Sequence, residues 1–186
     1  IDSKLRYPNT ALLYIETDAE QFSGSAPKVT CKVKGKIIRV PDNYDSEART
    51  YTGAWSGGFK LAYSDNPAWI FYDLLLDKVY GMGNRVDASM IDKWELYQIG
   101  VYCDQKVSDG AGGTEPRFTC NVFIQSQDDA YTVLNDLAAV FRGITFWGND
   151  QITVTADTPA DDPDWTYTAA NVIDGLFTYA GGSYKN

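Results

Sequence analysis

Histidine is absent from all 186 residues. That removes the usual general base and the commonest metal ligand, so Ser-His-Asp and Cys-His catalytic arrangements are excluded. Cysteine is scarce: Cys31, Cys103 and Cys120 form no Cys-x-x-Cys pair, and a zinc site would have to recruit carboxylates. These thiols are expected to be reduced and mostly buried, which suits folding in a reducing cytoplasm. No apolar run reaches the roughly 20 residues that cross a bilayer, and the amino end lacks the basic-then-apolar order of a signal peptide. Basic residues are outnumbered, with 16 Lys and Arg against 25 Asp and Glu and a net charge of -9. Such a field repels phosphate backbones and anionic headgroups, so neither nucleic acid nor a membrane surface is an expected partner.

What is present suits an ordinary globular protein. Hydrophobic residues make up 44% and charged residues 22% of the chain, enough to bury a core without disulfide or metal support. The chain opens on Ile1 and is expected to be a piece of a longer polypeptide, with one or two domains.

The amino-terminal part reads as strands. Leu12-Leu13-Tyr14-Ile15 is a short apolar run, Lys28 to Val33 alternates with period two, and Lys34-Gly35-Lys36 turns into Ile37-Ile38-Arg39-Val40,. A loop follows from Asp42 to Lys60, carrying Tyr44, Tyr51, Trp55 and Phe59. So many rings predict packing against something rather than exposure. Asn66-Pro67 opens a helix predicted to run to about Val79 and to stop at Gly81-Met82-Gly83, where glycine accepts left-handed geometry,. A second helix is predicted from Asp87 to about Tyr102 on the stripe Met90, Trp94, Tyr97 and Val101, with Gly100 costing about 1 kcal/mol inside it,.

Asp104 to Pro116 contains Asp109-Gly110 and Gly112-Gly113 and predicts a mobile loop,. Phe118 to Ile124 then predicts a strand covered on both faces. A third helix from Ser126 to Gly143 is predicted to pack on it, burying Ala130, Val133, Leu134, Leu137, Ala138 and Phe141,. Ile144–Trp147 and Gln151–Ala156 flank Gly148-Asn149-Asp150 as a hairpin,. After Pro159 come an acidic stretch and a strand-like Leu176-Phe177-Thr178-Tyr179. The fold class expected is α+β: a β-rich segment over 1–60, an α+β unit over 61–160 (helix-helix, then strand-helix-hairpin), and an acidic linker with a first onward strand over 161–186.

With histidine gone, catalysis would fall to carboxylates. Asp128-Asp129 is the obvious pair, yet at a helix start it is read as capping and dipole compensation. Asp161-Asp162-Pro163-Asp164 lacks the spacing, central glycine and terminal Glu of a calcium loop and is read as a solvated acidic turn,. Gly81-Met82-Gly83 has Val86 where a dinucleotide fingerprint needs glycine, and Asp109 to Glu115 lacks the Lys-Ser/Thr of a P-loop,. No catalytic, cofactor or metal residue is therefore assigned. Thirteen tyrosines and five tryptophans keep a carbohydrate-binding module open beside core packing, and a carboxylate-dependent cell-wall glycan hydrolase is the enzymatic alternative.

One set of ordered landmarks adds to this reading. Tyr7-Pro8-Asn9-Thr10-Ala11, Asp18-Ala19-Glu20-Gln21-Phe22, Val40-Pro41-Asp42-Asn43-Tyr44 and Tyr80-Gly81-Met82-Gly83-Asn84-Arg85 resemble the J-type host-specificity family at the tail tip of lambda-like phages. Asp92-Lys93-Trp94, Tyr102-Cys103-Asp104-Gln105 and Gly112-Gly113-Thr114-Glu115-Pro116-Arg117 follow in the same order. The resemblance runs from about Tyr7 to about Val172 and weakens at Ser23 to Lys28 and after Asp157. It implies a non-enzymatic structural segment of a homotrimeric virion hub, assembled in the bacterial cytoplasm with other tail-tip and tail-tube proteins. It also implies that the host receptor is bound by a distant carboxyl-terminal region. Cut from its neighbours and carrying a charge of -9, the isolated segment is expected to be monomeric or only weakly self-associating.

Overall fold

The computed structural model describes residues 7, 10–18, 20–21, 27–124, 129–148, 150–159 and 165–178. The chain divides into two units, 1–35 and 36–186.

In the first unit the described residues form no strand. The strands predicted at Leu12–Ile15 and Lys28–Val33 are therefore not formed. Leu12, Leu13, Tyr14, Val29 and Val33 are exposed. The physical reason is that alternation sets only a preference, whereas a strand exists through the hydrogen bonds and side-chain pairs of a neighbour.

The second unit contains the core. Strand β1 (Ile37–Pro41) pairs antiparallel with β4 (Phe59–Tyr63), Ile37 opposite Tyr63. The connection between them holds the short pair β2 (Tyr44–Asp45) and β3 (Thr50–Tyr51). Residue 60, the expected domain limit, falls inside β4. Helix α1 (Pro67–Leu76) packs on β1, and Asn66 caps it by accepting from the Ala68 amide, as the Asn-Pro signal predicts,.

The stop at Gly81 and Gly83 has a different cause from the one predicted. Neither glycine takes a positive φ. The chain instead folds back across the helix end, so that Met82 N–H donates to the Leu74 carbonyl (3.2 Å) and Gly83 N–H to that of Asp77 (2.9 Å). A Cβ on Gly81 would lie 1.8 Å from the Leu74 oxygen, and one on Gly83 would lie 2.2 Å from that of Leu76. Close backbone approach demands glycine here.

The second predicted helix is broken in two. A 3-10 turn (Ala88–Met90) capped by Asp87 is followed by Ile91, which bridges to Ile152, and then by α2 (Lys93–Asp104) capped by Asp92. The buried face of α2 is Leu96, Ile99, Gly100 and Cys103; Trp94 is 53% exposed. The predicted stripe was thus displaced around the helix. Gly100 explains the shift, since it lets α1 approach until its missing Cβ would sit 2.7 Å from the ring of Trp69.

The predicted mobile loop is a hairpin of β5 (Lys106–Ser108) and β6 (Thr114–Pro116), closed by Asp109, whose carboxylate accepts from the Ala111 and Gly113 amides. Phe118 to Ile124, predicted as a strand covered on both faces, pairs with no strand among the described residues; Cys120 is buried while Val122, Phe123 and Ile124 are exposed. Helix α3 (Ala130–Val140) buries Leu134, Leu137 and Ala138, with Phe141 wholly enclosed just beyond it, and leaves Ala130 exposed. It packs on α1 and on β7 (Gly143–Gly148), which pairs with β8 (Gln151–Ala156) in the predicted hairpin. Leu134→Ala is expected to lower the unfolding free energy by about 2–5 kcal/mol; a loss under about 1 kcal/mol in urea titration would show that this face is not core.

The parts predicted at Ser126–Asp128, Asn149, Asp161–Asp164 and Tyr179 lie outside the described residues. Leu176–Thr178 follows a 3-10 turn (Ile173–Gly175) and pairs with no strand among the described residues. The overall class is α+β, with helices and two-stranded sheets sharing one core.

Candidate functional site

The most constructed polar cluster in the molecule surrounds Asp104, the last residue of α2, which is 6% exposed. Its carboxylate accepts from Arg49 Nε (2.7 Å), Tyr51 Oη (3.0 Å) and Asn66 Nδ2 (2.8 Å). Arg49 also ion-pairs with Asp65 and donates to the Phe118 carbonyl (3.3 Å). Arg49 itself stands at φ +57, in the left-handed region that non-glycine residues seldom occupy,. Its backbone is bent there to carry the guanidinium inward from the β2–β3 turn.

Asn66 joins the two helices through this cluster. While its Oδ1 caps α1, its amide donates both to Asp104 and to the Gly100 carbonyl (2.9 Å). Trp69 Nε1 donates to the Tyr51 hydroxyl (3.0 Å), so Tyr51 passes a hydrogen bond from the core to Asp104. The Tyr44 hydroxyl, near Ser64 and Asp104, completes no well-formed hydrogen bond. Burial, then the Asp104 charge, raises both the Tyr44 and Tyr51 phenols far above the usual range, so both remain neutral, and Tyr51 donates to Asp104.

The rings of the 42–60 segment close over this cluster. Trp55 stacks on Tyr97 (4.7 Å between centroids) and Phe59 on Tyr72 (4.4 Å), with Trp69 meeting both Trp55 and Phe59 edge-on. Tyr44 and Trp55 are buried, Tyr51 and Phe59 half-buried. The prediction of packing therefore holds. A second ionic cluster ties β1 to α1: buried Asp73 accepts from the Arg39 amide (3.1 Å), Arg39 Nη1 (2.7 Å) and Lys36 Nζ (3.0 Å), and Lys36 also pairs with Asp77.

The carboxylates singled out by sequence are placed differently. Asp129 caps α3, accepting from the Thr132 amide at 3.4 Å, and Asp128 lies outside the described residues. Asp129→Asn is expected to change stability by only a few tenths of a kcal/mol, since Asn caps as well as Asp; Asp129→Ala should cost about 1 kcal/mol. Thermal melts of the two variants would separate capping from a charge effect, which would make both changes alike.

Among the described residues no group of three or more Cys, Asp and Glu is placed to hold a metal ion. Cys103 and Cys120 are buried and Cys31 is exposed. Burial, aided by Asp104, pushes the Cys103 thiol up to about 12, and burial raises Cys120. A disulfide-exchange reagent at neutral pH is expected to label one thiol per native chain quickly, at Cys31; rapid labelling of all three would contradict this arrangement.

Sequence reasoning missed Arg49, Asp65, Asp73 and Asp104. Because the spacing puts the buried stripe of the second helix on Met90, Trp94, Tyr97 and Val101, Asp104 reads as a surface charge, although the fold buries it four residues after Gly100,. Nothing local marks Arg49 as its partner, 55 residues away.

No protein-family model matches the chain. The whole chain is similar to tip attachment protein J of Escherichia phage SECphi27, at 48% identity over 186 residues. It is 50% identical over 185 residues to the protein of the same name from Escherichia phage SECphi4. The chain spans 16% of the length of each of these curated relatives.

Proposed function

Because the chain belongs, as a segment, to the family of tip attachment protein J of phages, we propose that it is a non-enzymatic structural segment of a phage tail tip, serving assembly and host attachment. The observation that carries this reading is where the polar chemistry goes. Asp104, Asp65 and Asp73 are consumed in holding Arg49, Arg39 and Lys36, and the Asp42–Lys60 rings are turned into the core. A glycan hydrolase needs two free acids facing a cleft about 5–9.5 Å apart. A sugar-binding face needs rings in an exposed row. Burial of Tyr44 and Trp55 counts against the second, and ion-pairing of the buried acids counts against the first.

In this reading the partners are other tail-tip and tail-tube proteins, and the complete protein is a homotrimeric hub placed at the virion tail tip after assembly in the host cytoplasm. Its β-rich parts build the ring around the tail tube, and its α+β parts decorate it. The receptor is met by a distant region. The test is a chimera in which this chain replaces the matching segment of the SECphi27 protein, with which it is 48% identical. Infectious particles are expected from the chimera, and tails lacking tips from one carrying Arg49→Met. Normal tails from a protein with the segment deleted would overturn the assembly role.

The isolated chain is expected to be monomeric. A ring contact must offset several kcal/mol of lost translational and rotational freedom, neighbouring segments no longer raise the effective concentration, and the charge of -9 adds repulsion,. Light scattering at micromolar concentration checks it; a stable trimer would place the principal interface within these residues.

A further inference from the structure

A trough of about 390 Å3 runs along one side of α2, where its buried face meets its exposed one, within the roughly 300–1,000 Å3 of small-molecule sites. One wall is a helix stripe of Glu95, Gln98, Ile99, Tyr102 and then Gln105; Ala156 at the end of β8, Thr158 and Pro159 form the other. Arg117, just past β6, closes it.

The state of Arg117 is unusual. Its backbone N–H donates to the Gln105 carbonyl (2.9 Å), its guanidinium lies over the Tyr102 ring at 4.4 Å, and Nη2 donates to Gln105 Oε1 (3.2 Å). The group is therefore fixed in place. Yet Nε is buried without a hydrogen-bond partner, and no carboxylate among the described residues pairs with the guanidinium. Among the described residues this held, half-buried cation has no counter-charge, which is costly unless an anion meets its remaining Nη1–Nη2 edge,. Arg39 and Arg49 each have such an acid; Arg117 has a pocket.

We propose that this trough binds a small monocarboxylate that also carries hydrogen-bond donors. The carboxylate meets the guanidinium end-on through Nη1 and Nη2, since Nε is covered, in the two-pronged geometry that Arg favours. Glu95, in the same wall, would repel a second anionic group but accepts hydroxyl or ammonium protons. Gln98 and Thr158 supply further polar contacts, and Ile99 and Pro159 an apolar floor. Two kinds of compound fit this chemistry, a polyhydroxy acid and an α-amino acid. With a net charge of -9 no long-range attraction assists an anion, so binding rests on the local fork and is expected to be weak, with Kd on the order of 1 mM.

The test is an amide-shift titration of the isotope-labelled whole chain with sodium glucuronate, with glycine, and with methyl glucoside as the neutral control, at constant ionic strength. Saturable shifts centred on Gln98, Tyr102, Gln105 and Arg117 are expected for glucuronate, glycine or both, and none for the glucoside. Which acid binds identifies the donor type. Arg117→Met should weaken binding about tenfold or more, with Arg117→Lys restoring only part because it lacks the fork. Should Arg117→Met disturb the fold, Gln98→Trp, on the exposed side of the helix, fills the trough and should abolish binding on its own. No saturable shift with either acid, or shifts unchanged in Gln98→Trp, would overturn the proposal and leave Arg117 as a packing residue on Tyr102.

Discussion

Arg49→Met is expected to lower the stability of the second unit by about 3–5 kcal/mol, the cost of leaving a buried acid without its partner. Asp104 would keep its hydrogen bonds from Tyr51 and Asn66 but lose its counter-charge in a site where it is 6% exposed. Asp65 would lose its pair as well. Two details sharpen the expectation. Because φ at residue 49 is +57, the methionine variant retains the backbone strain that the ion pairs formerly offset. Because the Phe118 carbonyl also accepts from Arg49, the segment leading to Cys120 should loosen first and expose its thiol. The measurement is urea unfolding with thiol labelling of Cys120. The double variant Arg49→Met with Asp104→Leu separates causes: removing both charges should recover part of the loss. A single variant costing under about 1 kcal/mol would mean that the cluster is not a lock.

Gly100→Ala should also destabilise, although helix propensity alone favours alanine by about 1 kcal/mol. The sign turns on Trp69. An added Cβ would lie 2.7 Å from Cζ2 and 2.9 Å from Cε2 of its ring, and Trp69 is 0% exposed. It has nowhere to retreat, because Trp55, Phe59 and Tyr97 surround it and Nε1 is tethered to Tyr51. Overpacking of this kind costs about 1–3 kcal/mol, enough to outweigh the propensity gain. Trp69→Ala, which removes the obstacle and the ring together, should cost about 3–5 kcal/mol. In the Trp69→Ala background the Gly100→Ala change should become neutral or favourable. Thermal melts of the four proteins test this as a cycle; a Gly100→Ala variant more stable than the parent would show that the helices do not pack as described.

Some of this architecture is local and could be read from residues in order. The Asn66-Pro67 start, the α3 stripe of Leu134, Leu137, Ala138 and Phe141, the hairpin about residues 148–151, and the enclosure of the 42–60 rings all follow from capping chemistry, helical spacing and turn preference,. Each depends on neighbours within a turn or two, or on side chains too apolar to leave in water. The landmarks that resemble the tail-tip family are likewise a property of the string of residues, and the match of the whole chain to a segment of the tip attachment proteins bears out the resemblance. What only the tertiary structure decided are the relations between distant parts. Whether Lys28–Val33 or Phe118–Ile124 becomes a strand depends on a partner edge, which a preference for extended backbone cannot supply,. The face that α2 buries was set by how closely Trp69 could approach Gly100, and the need for glycine at 81 and 83 by a carbonyl on the preceding helix. Asp104, Asp65 and Arg49 look like ordinary surface charges until the fold brings them together. Only then does the cost of burying each charge make its partner obligatory,.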